Sequence, residues 1–128
     1  MNILVVEDDA ILAELLAELL GDLGHVVCAI ESTEDGAIAA AAKHRPDLMI
    51  VDARLRHGGG LAAVEAIQRE RPIAHVFVTG DIAKVLALRP DAVALQKPYN
   101  EAALVAAMER ALSAPHLNAG RMIAFRER

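Results

Sequence analysis

A single cysteine, Cys28, rules out a disulfide within the chain. In "HVVCAI" it reads as a small core residue on a strand rather than a reactive thiol. Aromatic residues make up only 2% of the chain, so any core must be built from Ala, Leu, Val and Ile. His25, His44, His57, His75 and His116 show no HxxxH or HExxH spacing, which argues against a structural zinc site. Positive charge is also scarce. A net charge of −5 and the lack of a basic patch with interleaved aromatics argue against direct nucleic-acid binding. The locally basic "GRMIAFRER" at the end is too short for a nucleic-acid module. No run of about 18 charge-free apolar residues exists, which excludes a transmembrane helix. The first apolar run is broken at Glu7 and has no basic region before it, so no signal peptide is read. These absences lead us to expect a cytoplasmic chain with no membrane partner.

What the chain does have is apolar and regularly ordered. Hydrophobic residues make up 55% of 128, enough for one domain with a real core. Strand-like and helix-like segments alternate. "ILVVE" reads as a first strand, and "AILAELLAELLGDLG" as a helix with Ile11, Leu12, Leu15, Leu16, Leu19 and Leu20 at helical spacing, stopped at Gly24. "HVVCAI" is a second strand. "STEDGAIAAAAKHRP" is a helix started by a capping-box-like pair, Ser32 and Asp35, and ended by Pro46. "DLMIVDA", the loop "RLRHGGG" and the helix "LAAVEAIQRER" follow. "AHVFVTG" is a fourth strand, and Pro90 leaves room for at most a short fourth helix. "AVALQKP" is the fifth strand. "NEAALVAAMERALSA" is the fifth helix, capped by Asn100, with Leu104, Met108 and Leu112 on one face. The pattern predicts an α/β domain over residues 1–114: a flavodoxin-like, doubly wound, five-stranded parallel sheet with a short or missing fourth helix. Residues 115–128 read as a tail, either disordered or docking on a partner through Met122, Ile123 and Phe125.

Ligands bind at the carboxyl ends of the strands in such sheets. Here the first strand ends in Glu7 and Asp8, the third in Asp52, the fourth in Thr79 and the fifth in Lys97 and Pro98. Three carboxylates meeting there repel one another unless a hard cation, Mg²⁺ or Mn²⁺, neutralises them. Lys97 adds a point charge and Thr79 a hydroxyl, both suited to phosphoryl oxygens. This set is what phosphoryl transfer onto a carboxylate requires. Each residue alone has a plainer reading: Asp9, rather than Asp8, as a helix N-cap, Thr79 as a strand end, Lys97 as a surface ion-pair partner. "HGGG" at His57 to Gly60 lacks the Lys-Ser/Thr of a nucleotide-binding loop.

With "VVEDD", "LMIVDARL", "VFVTG" and "LQKP" in this order, the chain resembles a response-regulator receiver domain, from about Met1 to Ala114. The resemblance implies that Asp52 is the phosphoacceptor and that Glu7 and Asp8 hold Mg²⁺ together with Asp52 and the backbone carbonyl of Arg54. It also implies that Thr79 is the switch hydroxyl, that Lys97 contacts the phosphoryl group, and that the Lys97–Pro98 bond is cis. The family commonly has a glycine where Gly60 falls. Three departures stand out. Ala94 occupies a position often held by an aromatic switch residue. Thr79 and Lys97 lie closer together in sequence than is usual. Gly80 and Asp81 follow Thr79, and "FVTGD" is similar to the atypical "FATG" subgroup of stand-alone receivers. The prolines usual in the acceptor loop are missing from "ARLRHGGG".

The implied function is that of a single-domain regulator, not an enzyme with a separate substrate. It takes a phosphoryl group from a sensor histidine kinase or phosphotransfer domain. It then signals by binding a downstream protein, or drains phosphate from the kinase; a homodimer is compatible with this. Two alternatives remain. A phosphorylation-independent interaction module would be indifferent to Asp52→Ala. A small aspartyl-phosphate phosphatase would use Glu7 in place of an aspartate nucleophile.

Overall fold

Strands form where β-branched and aliphatic residues run together, and helices form between them where alanine and leucine dominate. In the computed structural model, which describes residues 1–114, the order is β1 (Asn2–Val6), α1 (Ala10–Asp22), β2 (Val26–Glu31), α2 (Glu34–His44), β3 (Leu48–Asp52), α3 (Gly60–Glu70), β4 (Ala74–Thr79), α4 (Ile82–Leu88), β5 (Ala94–Gln96) and α5 (Glu101–Ser113). The tail expected from residue 115 lies outside the described residues. All strands are parallel and the sheet order is β2-β1-β3-β4-β5, the flavodoxin-like arrangement. Among the described residues, no helix is long and apolar enough to cross a membrane.

The strands' period of two divides the core into two layers. Ile3, Val5, Ile50, Val76 and Val78 face α1 and α5, meeting Leu16, Leu20, Leu104 and Met108. Leu4, Val6, Met49, Val51 and Phe77 face the other side, against Ala37, Ala41, Val64 and Ile67 of α2 and α3 and Val85 of α4. The small alanines let α2 and α3 sit close to the sheet, where few aromatics are needed to fill space. At the β2 edge the pairing with β1 shifts register between Ile3 and Leu4. Cys28 sits at this irregularity, its thiol donating to the Ile3 carbonyl at 3.4 Å. Burial pushes that thiol's pKa up, in keeping with a packing role.

The helix starts follow from local chemistry. Asp9 caps α1 by accepting from the Ile11 and Leu12 amides, and Asn100 caps α5 through Ala103 N–H. Helix α4 has seven residues, as Pro90 dictates. One cap expectation needs correction. The α2 cap is Thr33, whose hydroxyl accepts from Gly36 N–H, not Ser32 with Asp35. On α1 only Ala13, Leu16 and Leu20 are buried, while Ile11, Leu12 and Leu15 point into solvent. On α5, Ala111 takes the buried position and Leu112 is exposed. In both helices the apolar residues outnumber the places the sheet can cover.

Candidate functional site

The carboxyl ends of β1, β3, β4 and β5 share one edge because the strands are parallel. Val6 pairs with Val51, so the residues that follow, Glu7 and Asp52, emerge side by side. Ligand oxygens of Glu7, Asp8 and Asp52 all lie within 4.8 Å of one another. Lys97 directly follows the end of β5 and precedes the cis Lys97–Pro98 bond. Its Nζ donates to Glu7 Oε1 at 2.9 Å and to Asp52 Oδ2 at 3.0 Å. Thus part of the compensating charge is a protein side chain. Three carboxylates against one ammonium still leave a local charge of −2. Asp8 has no cationic side-chain partner among the described residues and instead accepts from Arg56 N–H at 2.6 Å.

Protonation reflects this crowding. Burial pushes the Glu7 carboxyl above its usual range, against the opposing hydrogen bond from Lys97. Burial alone would lower Lys97, but its bonds to Glu7 and Asp52, with their charges, outweigh that and hold its pKa above the ordinary value. The donor set fits a hard divalent cation: all three side chains offer carboxylate oxygens, and their residual charge is negative. Glu7, Asp8 and Asp52 are the residues that would hold Mg²⁺.

A groove of about 600 Å³ opens on Asp52, with Arg54, Thr79, Lys84 and Lys97 on its walls. Thr79 is buried; its Oγ1 accepts from Asp81 N–H at 3.0 Å and its carbonyl accepts from Lys97 N–H at 2.7 Å. Asp81 then caps α4 through Lys84 N–H, so the "TGD" run turns the chain from strand to helix in two residues. A second groove, of about 490 Å³, lies on the α1 side and is mainly apolar. Leu12, Leu15 and Tyr99 line it beside Glu7 and Lys97.

A family model described as the response regulator receiver domain matches residues 3–109. The chain belongs to this family. The receiver is 31% identical over 116 residues to the transcriptional regulatory protein PdtaR of Mycobacterium tuberculosis, covering 88% of this chain and 57% of PdtaR. It is 32% identical over 115 residues to the phyllosphere-induced regulator PhyR of Methylorubrum extorquens, covering 87% of this chain and 43% of that one. Among solved structures, the receiver domain of PhyR from Erythrobacter litoralis superposes with a TM-score of 0.80 at 29% identity, over 87% of this chain and 88% of the other. The receiver therefore spans about half the length of PdtaR and PhyR.

Sequence reasoning singled out Glu7, Asp8, Asp52 and Lys97, and the fold brings these four together. Thr79 and Arg54 stand on the walls of the adjoining groove. Several contributors were missed. Gln96 ties the site's far side, accepting from Ile82 N–H at 2.9 Å and donating to the Gly80 carbonyl at 2.7 Å. The Arg56 amide holds Asp8. Gly60 is needed because a Cβ there would overlap the Asp52 carbonyl oxygen. The family likeness had already pointed to a glycine at this position; the close approach of the Asp52 backbone gives the reason for it.

Proposed function

We propose that the receiver accepts a phosphoryl group on Asp52 from a phosphohistidine of a sensor kinase or phosphotransfer domain, dependent on Mg²⁺ or Mn²⁺. The observation that carries this reading is the single ammonium of Lys97 held between Glu7 and Asp52 at 2.9 and 3.0 Å, beside Asp8, which has no cationic side-chain partner among the described residues. An Asp52 carboxylate oxygen attacks phosphorus and forms the O–P bond. The N–P bond of the phosphohistidine breaks, and its electron pair returns to the imidazole nitrogen. When bound at Glu7, Asp8 and Asp52, the divalent cation supplies positive charge for the transferred oxygens. Lys97 exchanges Asp52 Oδ2 for a phosphoryl oxygen. Thr79 Oγ1 accepts from Asp81 N–H, which leaves its own proton to donate to another phosphoryl oxygen. Hydrolysis reverses the state: water attacks phosphorus, inorganic phosphate leaves and the carboxylate is restored.

The phosphoryl group brings close to two negative charges beside Lys97 and Thr79. With Ala94 in place of an aromatic, the response runs through the Thr79–Asp81–α4 segment rather than through a flipping ring. Output is then binding of a downstream protein or withdrawal of phosphate from the kinase. The donor has to bring its histidine to Asp52, so its surface must cover the rim of the site. Leu12 and Leu15, exposed on α1, line the groove beside Glu7 and Lys97, and we assign donor docking to them. The test is incubation with acetyl phosphate, with Mg²⁺ or with EDTA, read by intact mass. A gain of one phosphoryl mass that needs Mg²⁺ and disappears in Asp52→Asn is expected; a gain that survives Asp52→Asn would sink the assignment.

A further inference from the structure

One carboxylate outside the acid cluster reaches the acceptor loop. Glu34 is the first residue of α2, yet its side chain is half-buried rather than in solvent. Its Oε1 accepts from Gly59 N–H at 3.0 Å, and its own N–H donates to the His57 carbonyl at 3.3 Å. Capping does not account for this, because Thr33 already caps α2. The loop from Ala53 to Gly59 has no proline. It is closed on itself by an antiparallel bridge between Arg54 and Gly59 and by Gly60 N–H donating to the Ala53 carbonyl. Its other side-chain anchors are Asp52, which accepts from Arg54 N–H at 2.9 Å, and Asp8, which accepts from Arg56 N–H at 2.6 Å. Three carboxylates therefore hold the loop: Asp52 at its start, Asp8 at its middle and Glu34 at its Gly59 end. The loop is also shaped around Glu34: Gly58 has φ of +83°, and a Cβ there would lie 2.7 Å from Glu34 Oε1.

We infer that Glu34 is a positioning residue for the phosphoryl site, holding the Gly59 end of the acceptor loop so that Arg54 and Arg56 keep their places beside Asp52 and Asp8. The inference rests on the acceptor role of Asp52 proposed above. A loop freed at Gly59 lets the Arg54–Gly59 bridge open and admits water to Asp52. It also loosens the amide that orients Asp8.

Two variants separate reach from charge. Glu34→Asp keeps the negative charge in the first turn of α2 but is one methylene too short for Gly59. Glu34→Gln keeps the reach and the acceptor oxygen but not the charge. Magnesium is titrated into the unphosphorylated, ¹⁵N-labelled protein, followed by the Arg54, Arg56 and Gly59 amide shifts. The half-life of the acetyl-phosphate-loaded form is then measured at saturating magnesium. Glu34→Asp is expected to bind magnesium about tenfold more weakly, the low end for a residue supporting metal ligands, and to lose phosphate several-fold faster. Glu34→Gln should stay within about twofold of wild type in both measurements. Glu34→Asp matching wild type in both would overturn the inference. So would Glu34→Gln as impaired as Glu34→Asp, because charge would then be what matters. A wild-type protein that takes up no phosphoryl group would sink the acceptor assignment and this inference with it. A wild type that does, alongside an unaffected Glu34→Asp, sinks the inference alone.

Discussion

Replacing Lys97 by methionine keeps an unbranched stem as far as Cε and removes the one ammonium that, among the described residues, pairs with the acid cluster. Each ion pair it makes, at 2.9 and 3.0 Å, corresponds to about 5 kcal/mol of Coulomb energy at an effective dielectric near 20. Burial of Lys97 opposes that gain. Removing one partner of a fully buried pair costs about 3–5 kcal/mol, because the other charge is left uncompensated. The Lys97 side chain is 27% exposed, against 8% for Glu7 and 11% for Asp52. Solvent screening brings the expected loss to about 2 kcal/mol in EDTA, or about 6–10 °C in the thermal midpoint. Magnesium should restore more stability to Lys97→Met than to wild type, because the local charge it meets is −3 rather than −2.

The pH dependence has a definite sign. Glu7 and Lys97 both hold their protons more tightly in the folded protein than at their ordinary values. The unfolded chain releases each proton first, so stability falls as pH rises from the ordinary value through the folded one. For Lys97 that window lies on the alkaline side of the ordinary ammonium value; for Glu7 it opens at the ordinary carboxyl value and extends upward. In Lys97→Met the Glu7 window widens upward, because the hydrogen bond that lowered its pKa is gone. The deficit of the variant should shrink as pH falls toward the carboxyl range. Urea unfolding followed by far-ultraviolet circular dichroism, with EDTA or magnesium, measures both effects. A variant as stable as wild type in EDTA, or one that gains no more than wild type from magnesium, would refute the reasoning.

Leu15→Asp should block transfer from the cognate donor domain while leaving labelling by acetyl phosphate intact, since Leu15 is 57% exposed on the α1 ridge and contributes nothing to the acid cluster. Equal loss in both assays would place the defect in folding or chemistry instead of docking. Gly60→Ala should cost about 1–3 kcal/mol and lower the phosphorylation rate, because the new Cβ must displace the Asp52 backbone. Gly80→Ala, where a Cβ meets nothing within 4 Å, serves as its control and should change stability by less than about 0.5 kcal/mol.

Much of the receiver was legible in its residues. Apolar runs ending in Glu7, Asp52, Thr79 and Lys97 marked both the strands and the edge where they stop, because strand length and burial are written locally. Asp9 and Asn100 announced their helices for the same reason, as did Pro90 for the brevity of α4. The family likeness then named the site.

Tertiary structure decided what depends on distant partners. Lys97 lies 90 residues from Glu7 and 45 from Asp52, and only the strand order β2-β1-β3-β4-β5 brings one ammonium within 3.0 Å of both. The leucines of α1 are alike in type, yet the sheet has room for Leu16 and Leu20 and none for Ile11 and Leu15, a matter of packing geometry that helical spacing does not encode. Glu34 reads as an ordinary first-turn acid until the fold carries Gly59 to its side chain. Sequence thus determined which chemistry the strand ends carry. The parallel pairing determined which of those groups meet, since charges and amides act over ångströms in space rather than positions along a chain.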